Sequence, residues 1–237
     1  AALMAGGAKV RVLAEASSSP TVAAMKKQLT EQMVGAIWHE YEPLSTDNER
    51  MGTKLAFGRP LRAMLHLDKA KTIVTLDADL FGEHPASVRY SRDFARSRNP
   101  DNSTLGNGQM NRLWSVESAF TNTGAMADHR LALRSELVLP FLMALDALLI
   151  GGSAPNASFL KEQKVSQFLS ALVEESREQR GHAVLAAGRR QSPDVHALVA
   201  KINAAIAAPG ATLSYFEDPE PDRVSHAQSI AQLVADI

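Results

Sequence analysis

The chain has 237 residues, 45% hydrophobic and 22% charged, a globular composition that excludes a disordered or fibrous chain and suffices for one large domain or two small ones. A formal net charge of -1 supplies no clustered basic excess, so nucleic acid is not an expected partner. With no cysteine, these residues can hold no thiolate-bound iron–sulfur cluster, Cys-type zinc site, disulfide or cysteine nucleophile.

In chain order, six short runs rich in β-formers alternate with helical patterns: 9–15 (KVRVLAE), 36–41 (AIWHEY), 71–78 (KTIVTLDA), 112–118 (RLWSVES), 182–188 (HAVLAAG) and 211–217 (ATLSYFE). Such alternation predicts an α/β fold, a doubly wound, mainly parallel Rossmann-like sheet with helices on both faces. After the first run, SSSPTVAAMKKQL offers a serine cap and Pro20 in the first turn of a helix. Ser192-Pro193 repeats the device before an apolar stripe of Val195, Leu198, Val199 and Ile202. A helical pair inserted at about 135–180 is interrupted by GGSAPNAS, 151–158, which reads as a loop.

The most apolar run, Leu137 to Gly152, carries Pro140 and Asp146 and is shorter than the roughly 20 residues of a spanning helix, so a buried helix and no direct membrane span are expected. The chain is read as a single α/β domain, 1–237, cut from a longer protein. The polar stretch 98–109 predicts a surface loop, whose Asn-Ser-Thr sequon is read as chance.

Ligands of open α/β sheets gather beyond the carboxyl ends of the strands, so each strand-end loop is a candidate. Ser17 and Ser18, at a helix start, could receive a phosphate or simply cap the helix. In KTIVTLDADLFGEHP, Asp77 and Asp79 are spaced to point the same way from a strand, where they could share a divalent cation, grip a ribose and guanine, or cap the next helix. In VESAFTNTGAMADHRLALR, Glu117 ends a strand, Thr121 and Thr123 bring hydroxyls, and Asp128, His129 and Arg134 flank a second extended piece. That set suits a nucleotide, or equally a hydrogen-bonded loop. Arg89, Arg92 and Arg96 form a basic helix face beside Asp93, either solvated or facing an acidic partner. The seven histidines have no zinc spacing, and no G-x-S-x-G elbow, Walker loop or G-x-G-x-x-G is present.

The blocks DNERMGTKLAFGRPLRAMLHLDKAKTIVTLDADLFGEHPASVRYSRDFARSR, MNRLWSVESAFTNTGAMADHRLALR and HAVLAAGRRQSPDVHALVAKINAAI, in that order, resemble the TAT-exported, molybdopterin-oxidoreductase-like part of the large iron–sulfur subunit of bacterial alternative complex III. The resemblance covers nearly the whole chain. It implies a domain of a respiratory quinol:electron acceptor oxidoreductase on the periplasmic face of the cytoplasmic membrane. Its partners would be an iron–sulfur domain of the same polypeptide, holding the clusters, and cytochrome and integral membrane subunits.

More distantly, the same blocks resemble the cofactor-binding region of molybdenum and tungsten pterin dinucleotide enzymes. Positions matching that region's motifs are Asp77 to Pro85, Glu117-Ser118-Ala119, Thr121-Asn122-Thr123, Ala127-Asp128 and Arg134-Ser135-Glu136. The departures are specific. Asp77 and Asp79 replace a Gly-Asn pair, placing charge where a pyrophosphate would lie, and the Pro-Gly-Thr-Asp after the arginine is absent. Two expectations follow: a scaffold with no cofactor in this fragment, or a molybdopterin guanine dinucleotide-binding domain of an active molybdenum or tungsten oxidoreductase, held by Glu117, Thr121, Thr123 and Asp128. A third is a nucleotide module with Mg²⁺ on Asp77 and Asp79.

Overall fold

The computed structural model describes residues 10–17, 19–102, 105–106 and 108–237. The sequon at 102–104 and Ser18 fall wholly or partly outside them. The chain divides into two compact units, 1–47 with 219–237, and 48–218.

In the first unit β1 (Arg11–Ala14) and β2 (Ile37–Glu40) pair in parallel, joined by α1 (Pro20–Gln32). Pro20 stands in the first turn of α1, where its missing N–H costs nothing, but Ser19 at the N-cap makes no side-chain capping bond. The returning helix α8 (His226–Asp236) is closed by a capping box. Ser225 Oγ accepts from the Gln228 N–H, and the Gln228 side chain accepts from the Ser225 N–H.

From Asp47 the chain enters α2 (Asp47–Phe57) and β3 (Leu61–Leu65), a strand the sequence pattern missed. It pairs antiparallel with β8 (Leu213–Glu217), Leu61 opposite Glu217 and Leu65 opposite Leu213. The central sheet is built from β4 (Thr72–Leu76), followed by α3 (Ser87–Arg96); β5 (Arg112–Glu117), followed by α4 (Asn122–Ala125); β6 (His129–Ala132), followed by α5 (Val138–Ile150) and α6 (Gln163–Glu178); and β7 (Ala183–Ala187), followed by α7 (Pro193–Ala205).

Its four strands run parallel in the order β6-β5-β4-β7. The chain therefore steps outward from β4 through β5 to β6, then returns to place β7 on the other side of β4. With right-handed crossovers that reversal puts helices on both faces, the expected Rossmann-like α/β arrangement. All six runs read from the sequence become strands. They sort into three sheets, and only three of the six enter the central one.

Every residue of β4 is buried, as a strand covered on both faces requires, and Ile73, Val74 and Leu76 pack with Leu113, Val116, Leu142, Leu145, Leu172 and Leu185. The apolar run 137–152 becomes α5 with Val138, Phe141, Leu142, Ala144 and Leu145 buried, as expected. The α7 stripe holds too, with Val195, Val199 and Ile202 buried and Leu198 partly so. Among the described residues no helix is long and apolar enough to cross a membrane.

A candidate crevice at the strand-order reversal

A cavity of about 370 Å³ opens at the carboxyl ends of the central strands, lined by Asp77, Ala78, Asp79 and Leu80 after β4, Ser118, Ala119 and Thr121 after β5, Ser135 after β6, and Ala187, Gly188, Arg189 and Arg190 at the end of β7. Glu49, Glu83 and His84 complete it. The reversal between β4 and β7 creates it, because the loops leaving those two neighbouring strands diverge to opposite faces. Gly188 is required there: a Cβ would collide with the Asp77 carbonyl.

The two aspartates do not share a face. β4 ends at Leu76, and Asp77 turns into the left-handed region at φ 52°, so the alternation that would align it with Asp79 is broken. Asp77 Oδ1 accepts from the Ser118 N–H and Oγ at 2.7 and 2.8 Å. Its Oδ2 accepts from Ser135 Oγ at 2.5 Å and Gln191 Nε2 at 2.9 Å. One carboxylate thus ties together the ends of β4 and β5, the turn after β6 and the loop after β7. Asp79 Oδ1 accepts from the Thr123 N–H and Oγ1 at 3.1 and 2.7 Å.

Glu117 is 2% exposed. Its Oε1 is paired to Arg130 Nε at 2.5 Å and its Oε2 accepts from Thr121 Oγ1 at 2.6 Å. Thr121 is also the N-cap of α4, its Oγ1 accepting from the Gly124 N–H at 3.1 Å. Thr123 Oγ1 accepts from the Phe81 N–H at 3.1 Å while donating to Asp79. Both threonine hydroxyls that the sequence offers to a ligand are therefore engaged with carboxylates of this chain.

The remaining predicted residues lie elsewhere. Asp128 precedes β6, so it stands at the amino edge of the sheet, away from the crevice; it accepts from the Leu113 N–H at 2.8 Å and is held by both terminal nitrogens of Arg98 at 3.0 and 2.7 Å. Burial works to raise its pKa, but the Arg98 bonds and the Leu113 N–H outweigh it and leave the carboxyl below its ordinary value. Arg134 follows β6 at the correct edge, but it is exposed and pairs with Glu136 at 3.1 Å. Ser17, in the first unit, is exposed and accepts from the Ser19 N–H at 3.2 Å. Asp93 is buried between Arg89 and Arg92, each at 3.3 Å, which accounts for two of the three arginines on that helix face.

Glu49, Arg189 and Arg190 line the crevice without having been among the candidates the sequence offered. Burial pushes the Glu49 carboxyl up, with Arg189 pulling against it, and burial and then the Arg189 charge push His84 down to about 4. His84 Nδ1 accepts from the Ala86 N–H at 3.0 Å, which leaves the ring proton of the neutral imidazole on Nε2. Arg190 pairs with Glu83 at 2.5 Å on the rim. The crevice lining counts four acids (Glu49, Asp77, Asp79, Glu83) against two arginines. Among the described residues no group of three or more His, Cys, Asp or Glu is arranged to hold a metal ion.

No protein-family model and no curated protein matches this chain. Among solved structures it is similar to acetylene hydratase from Pelobacter acetylenicus, with a TM-score of 0.55 and 10% identity over 88% of this chain. The match covers 31% of that chain, so the residues here span about a third of the protein they resemble. At this identity the likeness is one of fold alone.

Proposed function

We propose that this chain is a molybdopterin-oxidoreductase-like domain that binds no pterin dinucleotide and serves as a scaffold for electron-transfer partners, within the large iron–sulfur subunit of a respiratory quinol:electron acceptor oxidoreductase of the alternative complex III kind. On this reading the iron–sulfur clusters belong to a further domain of the same polypeptide, cytochrome and integral membrane subunits complete the assembly, and the complex faces the periplasm.

The observation that carries the reading is the set of inward-turned carboxylates at the strand ends. Asp77, Asp79 and Glu117 use their oxygens on Ser118, Ser135, Gln191, Thr121, Thr123 and Arg130. Loops that would need free N–H and hydroxyl donors for a dinucleotide instead bond to one another. A pyrophosphate entering here would meet the excess of acids over arginines and break exposed and part-buried hydrogen bonds to charged groups, worth at most about 1.5–3 kcal/mol each. The residues present do not suit the group.

The deciding experiment is elemental analysis and oxidised-pterin fluorescence on the intact native protein. Iron without molybdenum, tungsten or pterin is expected; stoichiometric pterin with either metal would overturn the scaffold reading in favour of the dinucleotide-binding one.

A further inference from the structure

The crevice holds polar groups that the chain itself does not use. Asp77 and Asp79 are engaged with Ser118, Ser135, Gln191 and Thr123, and Arg190 with Glu83. Glu49, His84 and Arg189 line the same cavity of about 370 Å³. Among the described residues, the Glu49 carboxyl, the His84 Nε2–H and the Arg189 guanidinium have no hydrogen-bond partner and no ion pair. Arg189 acts through its charge on both Glu49 and His84, yet it bonds to neither.

Two of the three are fixed in place. Glu49 lies in α2 one turn before Gly52, where a Cβ would collide with the His196 Cβ and the Pro193 carbonyl of α7, so α2 rests directly on α7. Thr53 Oγ1 accepts from the Leu61 N–H at 2.9 Å and ties the same helix to the start of β3. His84 is held by the Ala86 N–H on Nδ1, and its ring packs on Tyr90 with centroids 4.7 Å apart. Groups held in this way before a ligand arrives cost little to order when it binds.

An acid and a guanidinium that face one cavity without closing on each other leave a gap that a ligand carrying both charges fills. The planar fork of Arg189 suits a carboxylate, and the His84 Nε2–H adds a donor to it. Burial pushes the Glu49 carboxyl up, so its ionised form lacks a cation, which an ammonium supplies. Charge balance disfavours the simpler ligands. With Arg190 paired to Glu83, an anion alone meets Glu49, Asp77 and Asp79 against Arg189, and a cation alone leaves Arg189 unanswered. A zwitterion brings its own cation, so the acids that oppose a pyrophosphate do not oppose it. Arg189 is near enough to act on the titration of Glu49, which calls for a short span between the two charges. The volume stands at the small end of ligand pockets.

We propose, on the reading that no pterin dinucleotide fills it, that this crevice binds a small zwitterion of the free α-amino acid class, its carboxylate on Arg189 and His84 Nε2–H and its ammonium on Glu49.

Isothermal titration of the intact native protein with glycine, L-serine and L-leucine tests it, after pterin analysis of the same sample. Binding of at least one is expected, weakened about 10- to 100-fold for its N-acetyl derivative and for its methyl ester, each of which lacks one charge. Equal binding of either derivative, or no binding of the three amino acids to pterin-free protein, would overturn the proposal and leave the scaffold reading standing. Stoichiometric pterin would overturn both. Arg189→Gln and Glu49→Gln locate the site. Neither side chain bonds to the chain, so neither variant is expected to lower the urea midpoint, while each weakens binding about 10-fold or more. Unchanged affinity in either variant would overturn the proposal.

Discussion

Gln191 donates from Nε2 to Asp77 Oδ2 at 2.9 Å, joining the loop after β7 to the residue that ends β4 across the reversal of strand order. Ser135 Oγ donates to the same oxygen and accepts from the same amide at 2.7 Å, so the three side chains close a small ring. In an open α/β sheet this reversal is where the loops part to admit a ligand; here a carboxylate draws them together.

Asp77→Asn tests that clasp. Asparagine tolerates a positive φ at least as well as aspartate, so the backbone strain at φ 52° is unchanged. One carboxylate oxygen becomes an NH2 facing donors, either Ser118 or the Ser135–Gln191 pair. The variant is expected to lose about 1–3 kcal/mol in urea unfolding with an unchanged m-value. A neutral result would mean the four bonds are not held in solution.

Gly124→Ala separates a packing constraint from helix propensity. In an ordinary helix the change gains about 0.5–1 kcal/mol, but here the new Cβ would collide with the buried Glu117 carboxylate. Destabilisation of about 1–3 kcal/mol is expected, as for other overpacked sites. Combining it with Glu117→Ala should cost less than the sum of the two single losses, because the collision then disappears; strict additivity would refute the contact.

The pH profile should be set in part by two histidines. Burial holds His196 at about 4, against the pull of backbone bonds at Gly188 and Gln191, and holds His84 at about 4 with Arg189. Both folded values lie below the ordinary 6.5, so their contribution is complete above pH 6.5 and is lost as pH falls toward 4. The limit is about 1.4 kcal/mol per pH unit for each histidine. Glu49 acts in the opposite sense, since its raised value gains stability as pH falls through it toward 4.5. A lower urea midpoint at pH 5 than at pH 7 is expected, with a shallower difference in His196→Gln.

How much of this was legible beforehand depends on the range of the signal. Local patterns placed the six runs and the helices between them, because periodicity and proline position act within a few residues. The strand β3 was not visible: its pattern of burial is irregular, and its partner β8 lies about 150 residues away in sequence. Asp128 shows how much the direction of one short strand decides, since the extended piece it flanks was expected but its parallel pairing was not. Read as the far end of the loop after β5, it falls at the crevice; once 129–132 is a parallel strand, the residue before it must stand at the amino edge. The Asp77–Asp79 pairing failed for a comparable reason, since a single left-handed residue after Leu76 resets the alternation. Glu49, Arg189 and Gln191 carry no motif, and only the fold brings them to the crevice.

Guanine nucleotide with Mg²⁺ offers the last test. The dinucleotide-binding alternative needs the hydroxyls of Thr121 and Thr123, which donate to Glu117 and Asp79 at 2.6 and 2.7 Å. Releasing them would leave Glu117, 2% exposed, short of a donor. A ligand that binds only the folded state stabilises it by about 2.7 kcal/mol at a hundred times its Kd, which for a chain of this length raises Tm by roughly 5–10 °C. Millimolar GMP or GDP with Mg²⁺ is therefore expected to leave the melting temperature unchanged. A rise of that size would show that the loops exchange their internal bonds for a ligand, and if Thr121→Val abolished it, the alternative would replace the scaffold reading.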